Sequence, residues 1–472
     1  MDRLLIAATH RSSGKTTLSV GLLAALAARG VAVAPFKKGP DYIDPMWLGL
    51  AAGRPCHNLD PYLMTPAGIR RCFADGARGA AMALVEGNLG LYDGMSLDGR
   101  DCNAALARQL RAPVLLVVDA RGTTRGVAPL LLGYQAFDRE LRIGGVVLNR
   151  VGGSRHESRL RAVIERYTDI PVIGAVAEDA RLVMTERHLG LVPCAEVDDS
   201  RARIASFGHI VGAQVDLDRV RALAAAAPAL RWPKPRPERA AAELRIGIAR
   251  DRAFGFYYPD DLAALRAAGA TLVSIDTLHD RELPPLDGLV IGGGFPETCL
   301  DALEANATMR ASMRAAIIGG LPTYAECGGL MYLARSIEWQ GRRAEMVGAI
   351  PGDVVMHARA VGRGYVHLLE TAAMPWPGGS DAMVRAHEFH HSSLENVDPG
   401  VRYAWRVERG HGIDGENDGL VVHNLLASYA HLRSAGGTGW AERFLRFVRS
   451  QQGPVQRRHA ATPAKSASEV AL

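Results

Sequence analysis

Six short runs in the first half of the chain are apolar almost from end to end: Leu4–Ala8, Val31–Phe36, Ala81–Val85, Val114–Val118, Gly145–Leu148 and Val172–Val176. A strand with one face in water alternates apolar and polar residues; a strand covered on both faces does not. These runs, separated by helical stretches, predict a parallel sheet with helices on both sides, an α/β fold. The pattern stops and then restarts. Leu244–Ala249, Thr271–Ile275, Gly288–Ile291 and Leu321–Ala325 predict a second α/β unit. Between the two lies a stretch with prolines at 228, 233, 235 and 237, which reads as an extended, semi-rigid linker. The expected organisation is a first domain at 1–227, a linker at 228–243, a second domain at 244–450 and a disordered tail at 451–472 rich in Gln, Ala, Ser and basic residues.

Charge and composition exclude several classes of partner. The net charge is +5 over 472 residues, and no Lys/Arg block stands out, so nucleic acid is not an expected partner. No apolar run approaches the roughly 20 residues a spanning helix needs, and Met-Asp-Arg-Leu does not begin a signal peptide. A membrane is therefore not expected, and a cytoplasmic location is. The six cysteines form no C-x-x-C pair, which suits a reducing compartment better than a disulfide scaffold or a zinc site.

The first strand runs into Thr9-His-Arg-Ser-Ser-Gly-Lys-Thr-Thr17 and then an Ala/Leu-rich helix from about Thr17 to Ala28. That is the context of a phosphate-binding loop, in which backbone N–H groups and the helix N-terminus cradle phosphates. Gly14, Lys15, Thr16 and Thr17 are the expected ATP-binding residues, with Lys15 reaching the β/γ-phosphates and Thr16 holding Mg²⁺. The glycine that normally opens the motif is absent; Thr9 stands there. Acidic residues follow the next strands: Asp41 and Asp44 in Phe36-Lys-Lys-Gly-Pro-Asp-Tyr-Ile-Asp-Pro45, Glu86 in Val85-Glu-Gly87, and Asp93 in Tyr92-Asp-Gly94. Residues just past the carboxyl ends of parallel strands gather at one edge, where ligands bind. Asp41 and Glu86 are thus expected with Thr16 around Mg²⁺, a hard cation that takes carboxylates and phosphates. The same acids can equally be read as helix caps and turn residues.

In the second half, Leu321-Pro-Thr-Tyr-Ala-Glu-Cys-Gly-Gly-Leu-Met-Tyr-Leu333 reads as strand, sharp turn and helix with Cys327 at the turn. Such an elbow lifts a thiol above the sheet beside a helix N-terminus, which favours thiolate. Gly328 beside it, and Gly293 and Gly294 in Ile291-Gly-Gly-Gly-Phe-Pro-Glu297, are candidate donors to an oxyanion. The alternatives are a buried structural cysteine and an ordinary tight turn. An activated cysteine needs a base. His423 and His431 are both available, and either has a structural reading as well. His387-Glu-Phe-His-His391 formally matches H-E-x-x-H, but that zinc motif belongs on a helix with a further ligand beyond it, and Ser392-Ser393 follow at once.

Taken together, these motifs resemble those of the cobyrinate (or hydrogenobyrinate) a,c-diamide synthases. The resemblance rests on Ser13-Gly-Lys-Thr-Thr17, Phe36 to Pro45, Asn58-Leu-Asp-Pro61, Val85-Glu-Gly87, Tyr92-Asp-Gly94 and Glu186-Arg-His-Leu-Gly190 in the first half. Gly292-Gly-Gly-Phe-Pro-Glu297, Ala325-Glu-Cys-Gly-Gly-Leu-Met-Tyr332, His387-Glu-Phe-His390 and Ala427-Ser-Tyr-Ala-His431 carry it in the second. It implies a dethiobiotin-synthetase-like P-loop domain followed by a class I glutamine amidotransferase-like domain. It also implies that ATP and Mg²⁺ phosphorylate the a- and c-acetate carboxylates of a tetrapyrrole, and that ammonia from glutamine displaces the phosphate. By position Cys327 matches the family's nucleophile and His431 its activating histidine; Lys15, Thr16, Asp41, Glu86 and Asp93 match the ATP and substrate side. The tetrapyrrole is expected near Asp41, Tyr42 and Asp93, with Lys37, Lys38, His10 and Arg11 on its remaining carboxylates. Thr9-His10-Arg11 and Lys38 depart from the family pattern, which keeps sirohaem or its precursor as an alternative substrate. A P-loop ATPase with an inactive amidotransferase domain and a metal hydrolase at His387 and His391 are the readings from other classes. A homodimer is compatible with the sequence, which does not fix the oligomeric state.

Overall fold

The computed structural model describes residues 1–187, 190–233, 243–379 and 382–452. The positions 234–242 of the expected linker, 453–472 of the expected tail, and His188 and Leu189 lie outside them. Two compact units are present. One takes the described residues up to 233 and the other those from 243 on, except that Tyr258–Asp260 and Ala435–Gly437 group with the first.

The first unit is built on a seven-stranded sheet in the order His57–Leu59, Val33–Lys38, Met82–Glu86, Asp2–Ala8, Val114–Asp119, Ile143–Val151, Val172–Ala177. Every neighbouring pair is parallel. The six runs read from the sequence are all strands, each longer or shifted by one to three residues; His57–Leu59 adds a short edge strand. Leu4 to Ala8, Leu84, Val85 and Val114 to Val117 are fully buried, as two-sided coverage requires. The strand Asp2–Ala8 pairs with Met82–Glu86 on one side and Val114–Asp119 on the other. The chain's winding reverses there, so the crevice at its carboxyl end is the topological switch point. The loop before the helix Lys15–Ala28 leaves the sheet at that place.

The second unit has a nine-stranded mixed sheet. Its first five strands, Ala270–Ile275, Leu244–Ala249, Gly288–Ile291, Thr323–Glu326 and Leu425–Ser428, are parallel neighbours. Four antiparallel strands extend it: Asn417–Val422, Arg402–Arg409, Gly362–Glu370 and Val384–His390. The helix Trp440–Gln451 packs Phe444, Leu445, Phe447 and Val448 into the core, so order continues to the first residue of the expected tail. Among the described residues no helix is long and apolar enough to cross a membrane.

Candidate functional site

In the first unit the carboxyl edge of the sheet concentrates charge. Gly14 has φ +86°, and a Cβ there would fall 2.2 Å from Asn149 Nδ2. Only glycine fits both demands. The Asn149 amide donates to the Ser13 carbonyl at 2.8 Å and so ties the loop to the end of a strand. Thr9, in place of the missing glycine, is buried; its N–H donates to Val117 O and its carbonyl accepts from Tyr134 Oη.

Thr16, at the first turn of the helix, directs Oγ1 to Glu86 Oε1 at 2.9 Å and to Asp44 Oδ2 at 3.3 Å. Glu86 is fully buried; its Oε1 also accepts from Lys37 Nζ at 2.6 Å, and its Oε2 has no hydrogen-bond partner among the described residues. Lys37 Nζ also donates to Asp44. Burial pulls the Lys37 ammonium down, but Asp44 and Glu86 outweigh it and hold it well above the usual lysine value. Lys15 has no such direct partners among the described residues: burial, then repulsion from Lys37, lowers it to about 8. The Thr16 hydroxyl and the carboxylates of Asp44 and Glu86, with Glu86 Oε2 unpartnered among the described residues, form a hard-oxygen donor set that fits Mg²⁺.

Several expected residues are placed differently. Asp41 Oδ1 accepts from the N–H groups of Ile43 and Asp44 at 2.8 and 3.3 Å. It caps the helix Ile43–Ala52, while Asp44 in the first helical turn takes the place beside Thr16. Thr17 Oγ1 donates to the Leu182 carbonyl at 3.3 Å, away from Glu86. Lys37 and Lys38 are buried, on Glu86 and Asn88 respectively, and so are not surface binders of substrate carboxylates. His10, Arg11 and Asp93 are exposed, and Tyr42 is half-buried. Asp93 accepts from Gly90 N at 3.0 Å and lies within electrostatic reach of Lys15. Asp44, expected at this edge, lies 3.3 Å from Thr16 Oγ1. Asn58 and Asn149 were not singled out for this site; Asn58 steadies the loop by donating to the carbonyls of Gly39 and Asp41 at 2.8 and 2.6 Å.

In the second unit strand register gathers the thiol site. Ile291 is level with Ala325, Ala325 with Ala427 and Glu326 with Ser428. Gly292–Gly294, Cys327 and Tyr429–His431 therefore leave the sheet at the same edge. Cys327 adopts φ +47°, ψ −103° between the strand and the helix Gly328–Leu333. A non-glycine residue there is strained, and such strain gathers at functional sites. Its N–H donates to Ser428 O at 2.7 Å. A Cβ on Gly328 would sit 2.9 Å from both N and O of Gly294, and one on Gly294 would be 1.9 Å from Ala253 O. The two glycine backbones thus pack directly together beside the thiol. Gly293 faces the imidazole, a Cβ there lying 2.7 Å from His431 Cε1.

His431 is buried, with Nδ1 3.2 Å from Glu326 Oε2. Burial opposes its charge, but hydrogen bonds to Cys327 and Glu326 prevail and raise it to about 10. The segment carrying it is pinned by the fully buried Asp418, which accepts from Ser428 Oγ and from the N–H groups of Tyr429 and Ala430 at 2.9–3.0 Å. His423 sits exposed in the hairpin turn between Asn417–Val422 and Leu425–Ser428, whereas His431 is buried at the strand edge that carries Cys327. The H-E-x-x-H segment lies on a strand. His387 and His431 exchange backbone hydrogen bonds and stack at 4.8 Å. Among the described residues no third ligand joins His387 and His391. Glu326 and Asp418 were missed as site residues. Glu326 lies next to Cys327 in the sequence; Asp418 gave no signal.

A thiol on a strained elbow, an imidazolium against it and packed glycine backbones can open a carboxamide. A lysine, threonine and acids at a helix N-terminus can bind a nucleoside triphosphate. The comparisons agree with both halves. Residues 4–191 match the CobQ/CobB/MinD/ParA nucleotide binding domain, and residues 245–437 match the CobB/CobQ-like glutamine amidotransferase domain. Curated proteins named cobyrinate a,c-diamide synthase align over nearly the whole chain. That of Magnetococcus marinus is 46% identical over 458 residues, covering 96% of this chain and 98% of its own. That of Methanosarcina acetivorans is 40% identical, with 92% of each covered. That of Methanothermobacter thermautotrophicus is 37% identical, covering 94% and 99%. The chain belongs to the cobyrinate a,c-diamide synthase family.

Proposed function

We propose that the chain amidates the a- and c-acetate carboxylates of cobyrinate or hydrogenobyrinate at the expense of ATP and glutamine. Membership of the family makes it a glutamine-dependent amidating ligase; the geometry supports the residue roles that follow. The observation that carries the reading is Cys327 at φ +47° with a hydrogen bond to the buried His431.

Cys327 attacks the carboxamide carbon of glutamine as the thiolate. His431, protonated at neutral pH, gives its proton to the departing ammonia. N–H groups of Gly328 and Gly294 face the oxyanion, with Gly293 leaving room for the imidazole. Water then releases glutamate from the thioester. In the first unit a substrate carboxylate oxygen attacks the γ-phosphorus of ATP, ADP leaves, and ammonia displaces phosphate from the acyl phosphate. Lys15 and the N-terminus of its helix face the phosphates. Thr16, Glu86 and Asp44 would hold Mg²⁺, which neutralises phosphate charge when bound. Asp41 supports Asp44 by capping its helix, and the tetrapyrrole lies over the edge bearing Tyr42 and Asp93.

Cys327→Ala tests the division of labour. The variant should lose amidation driven by glutamine and keep amidation driven by high free ammonia. A folded variant that ammonia does not rescue would overturn the two-site reading.

A further inference from the structure

A carboxylate adjacent in sequence to the proposed nucleophile touches the proposed base. Glu326 ends the strand Thr323–Glu326, and the left-handed turn at Cys327 carries the backbone away from it. Its side chain is 9% exposed and holds Oε2 at 3.2 Å from His431 Nδ1. Its other oxygen is fully engaged: Oε1 accepts from Tyr324 Oη at 2.6 Å and from the N–H of Leu432 at 3.0 Å. The carboxylate is thus clamped by a residue of its own strand and by the residue following the imidazole it touches.

A carboxylate on Nδ1 fixes the imidazole's orientation, leaves Nε2 for the thiol, and stabilises the imidazolium. The groups facing His431 from every side agree with this role. Cys327 and Glu326 come from one strand end. From Val384–His390 comes His387, which burial, then the charges of His431 and Arg433, push well below the ordinary histidine value. His387 is therefore neutral and Arg433 repels a second positive charge, while Glu326 sets a carboxylate oxygen 3.2 Å from His431 Nδ1. Tyr324, pushed well above the usual tyrosine range by burial and then by Glu326, stays protonated and can only donate to it.

We infer that Glu326 is the positioning residue of a Cys327–His431–Glu326 relay, in which the orienting carboxylate comes from the residue immediately before the nucleophile. This rests on the reading of Cys327 and His431 given above.

The test compares wild type, Glu326→Gln and Glu326→Asp in the full chain. Two readouts are used: ammonia release from glutamine, and the pH dependence of Cys327 alkylation by iodoacetamide. Wild-type release that is lost in Cys327→Ser first establishes the underlying reading by itself. Glu326→Gln should then lower kcat at least about tenfold, by analogy with other supporting carboxylates, with KM for glutamine unchanged. Its alkylation profile should move to higher pH as the imidazolium loses its partner. Glu326→Asp keeps the charge one methylene further away; it should fall between the two in kcat and keep an alkylation profile close to wild type. The inference is overturned if Glu326→Gln matches wild type in both readouts. It is also overturned if Glu326→Asp shifts the alkylation profile as far as Glu326→Gln, because packing rather than charge would then be at work. Should Glu326→Gln fail to fold, the Asp variant decides against wild type alone: a lowered kcat with an alkylation profile close to wild type supports the inference, and a profile moved to higher pH or an unchanged kcat overturns it.

Discussion

Lys37 and Glu86 form an ion pair inside the first unit, 2.6 Å between Nζ and Oε1, with side-chain exposures of 4% and 0%. The same carboxylate oxygen accepts the Thr16 hydroxyl, and the same ammonium reaches Asp44. The pair therefore ties two strand ends and the start of two helices together beneath the phosphate loop.

Removing one partner leaves the other buried and uncompensated. Lys37→Ala should destabilise the fold by about 3–5 kcal/mol, read as a lowered denaturation midpoint. The sign with pH is fixed by the directions of the shifts. Lys37 is raised, so its contribution is complete below about 10.4 and lost only as pH rises above that. Asp44 is lowered, Lys37 outweighing burial, so its contribution is complete above about 3.9 and lost as pH falls below that. Between those limits Asp41, raised to about 7 by burial and then by Asp44, and Lys15, at about 8, both titrate and both feel Lys37, so the stability difference between wild type and Lys37→Ala should widen as pH rises from 5 to 9 in urea titrations.

Lys15 differs, because its ammonium lies near a pKa of about 8 before ligand arrives. Phosphates would stabilise its charged form. ATP binding at pH 8–9 should therefore take up protons, measurable by calorimetry in buffers of different ionisation enthalpy. No uptake, or equal uptake in Lys15→Ala, would remove Lys15 from the phosphates.

Lys15→Ala should also reduce ATP-dependent amidation by about 10²–10³-fold, the usual effect of deleting one electrostatic contact to a reacting group. Basal glutamine hydrolysis should persist. Full amidation at saturating ATP would contradict the site.

Much of this was legible from residue order. The buried parallel strands appear as unbroken apolar runs, and Cys327 declares itself through Glu-Cys-Gly-Gly. The antiparallel half of the second sheet did not. Arg402–Arg409 keeps only Ala404 and Trp405 buried and exposes its arginines, so neither the buried nor the alternating pattern shows. The strand His57–Leu59 is three residues long, too short for any period. Asp41 and Asp44 are separated only by where a helix begins, which fixes Asp41 as cap and Asp44 as the residue near Thr16. Lys37 and Lys38 looked like surface cations because nothing local reveals that their partners, Glu86 and Asn88, follow about fifty residues later. Glu326 was in view but carried no meaning until the left-handed turn placed it against His431.

The raised His431 predicts an alkaline limit. Its proton is held to about pH 10, so glutamine-dependent ammonia release should stay level through neutral pH and decline as the imidazolium is lost near that value. The stability from its pairing is likewise complete below about 6.5 and lost as pH rises through about 10. His431→Asn should abolish glutamine hydrolysis over the whole range.

The most direct measurement follows the mass of the tetrapyrrole. Cobyrinate, hydrogenobyrinate and sirohaem are incubated side by side with the protein, ATP, Mg²⁺ and glutamine labelled with ¹⁵N in the side-chain amide. The account predicts that a corrin substrate gains two labelled amides, only with ATP present, and that Cys327→Ala incorporates no label. Labelling of sirohaem alone would contradict the corrinoid assignment, and labelling of none of the three would contradict the amidoligase reading itself.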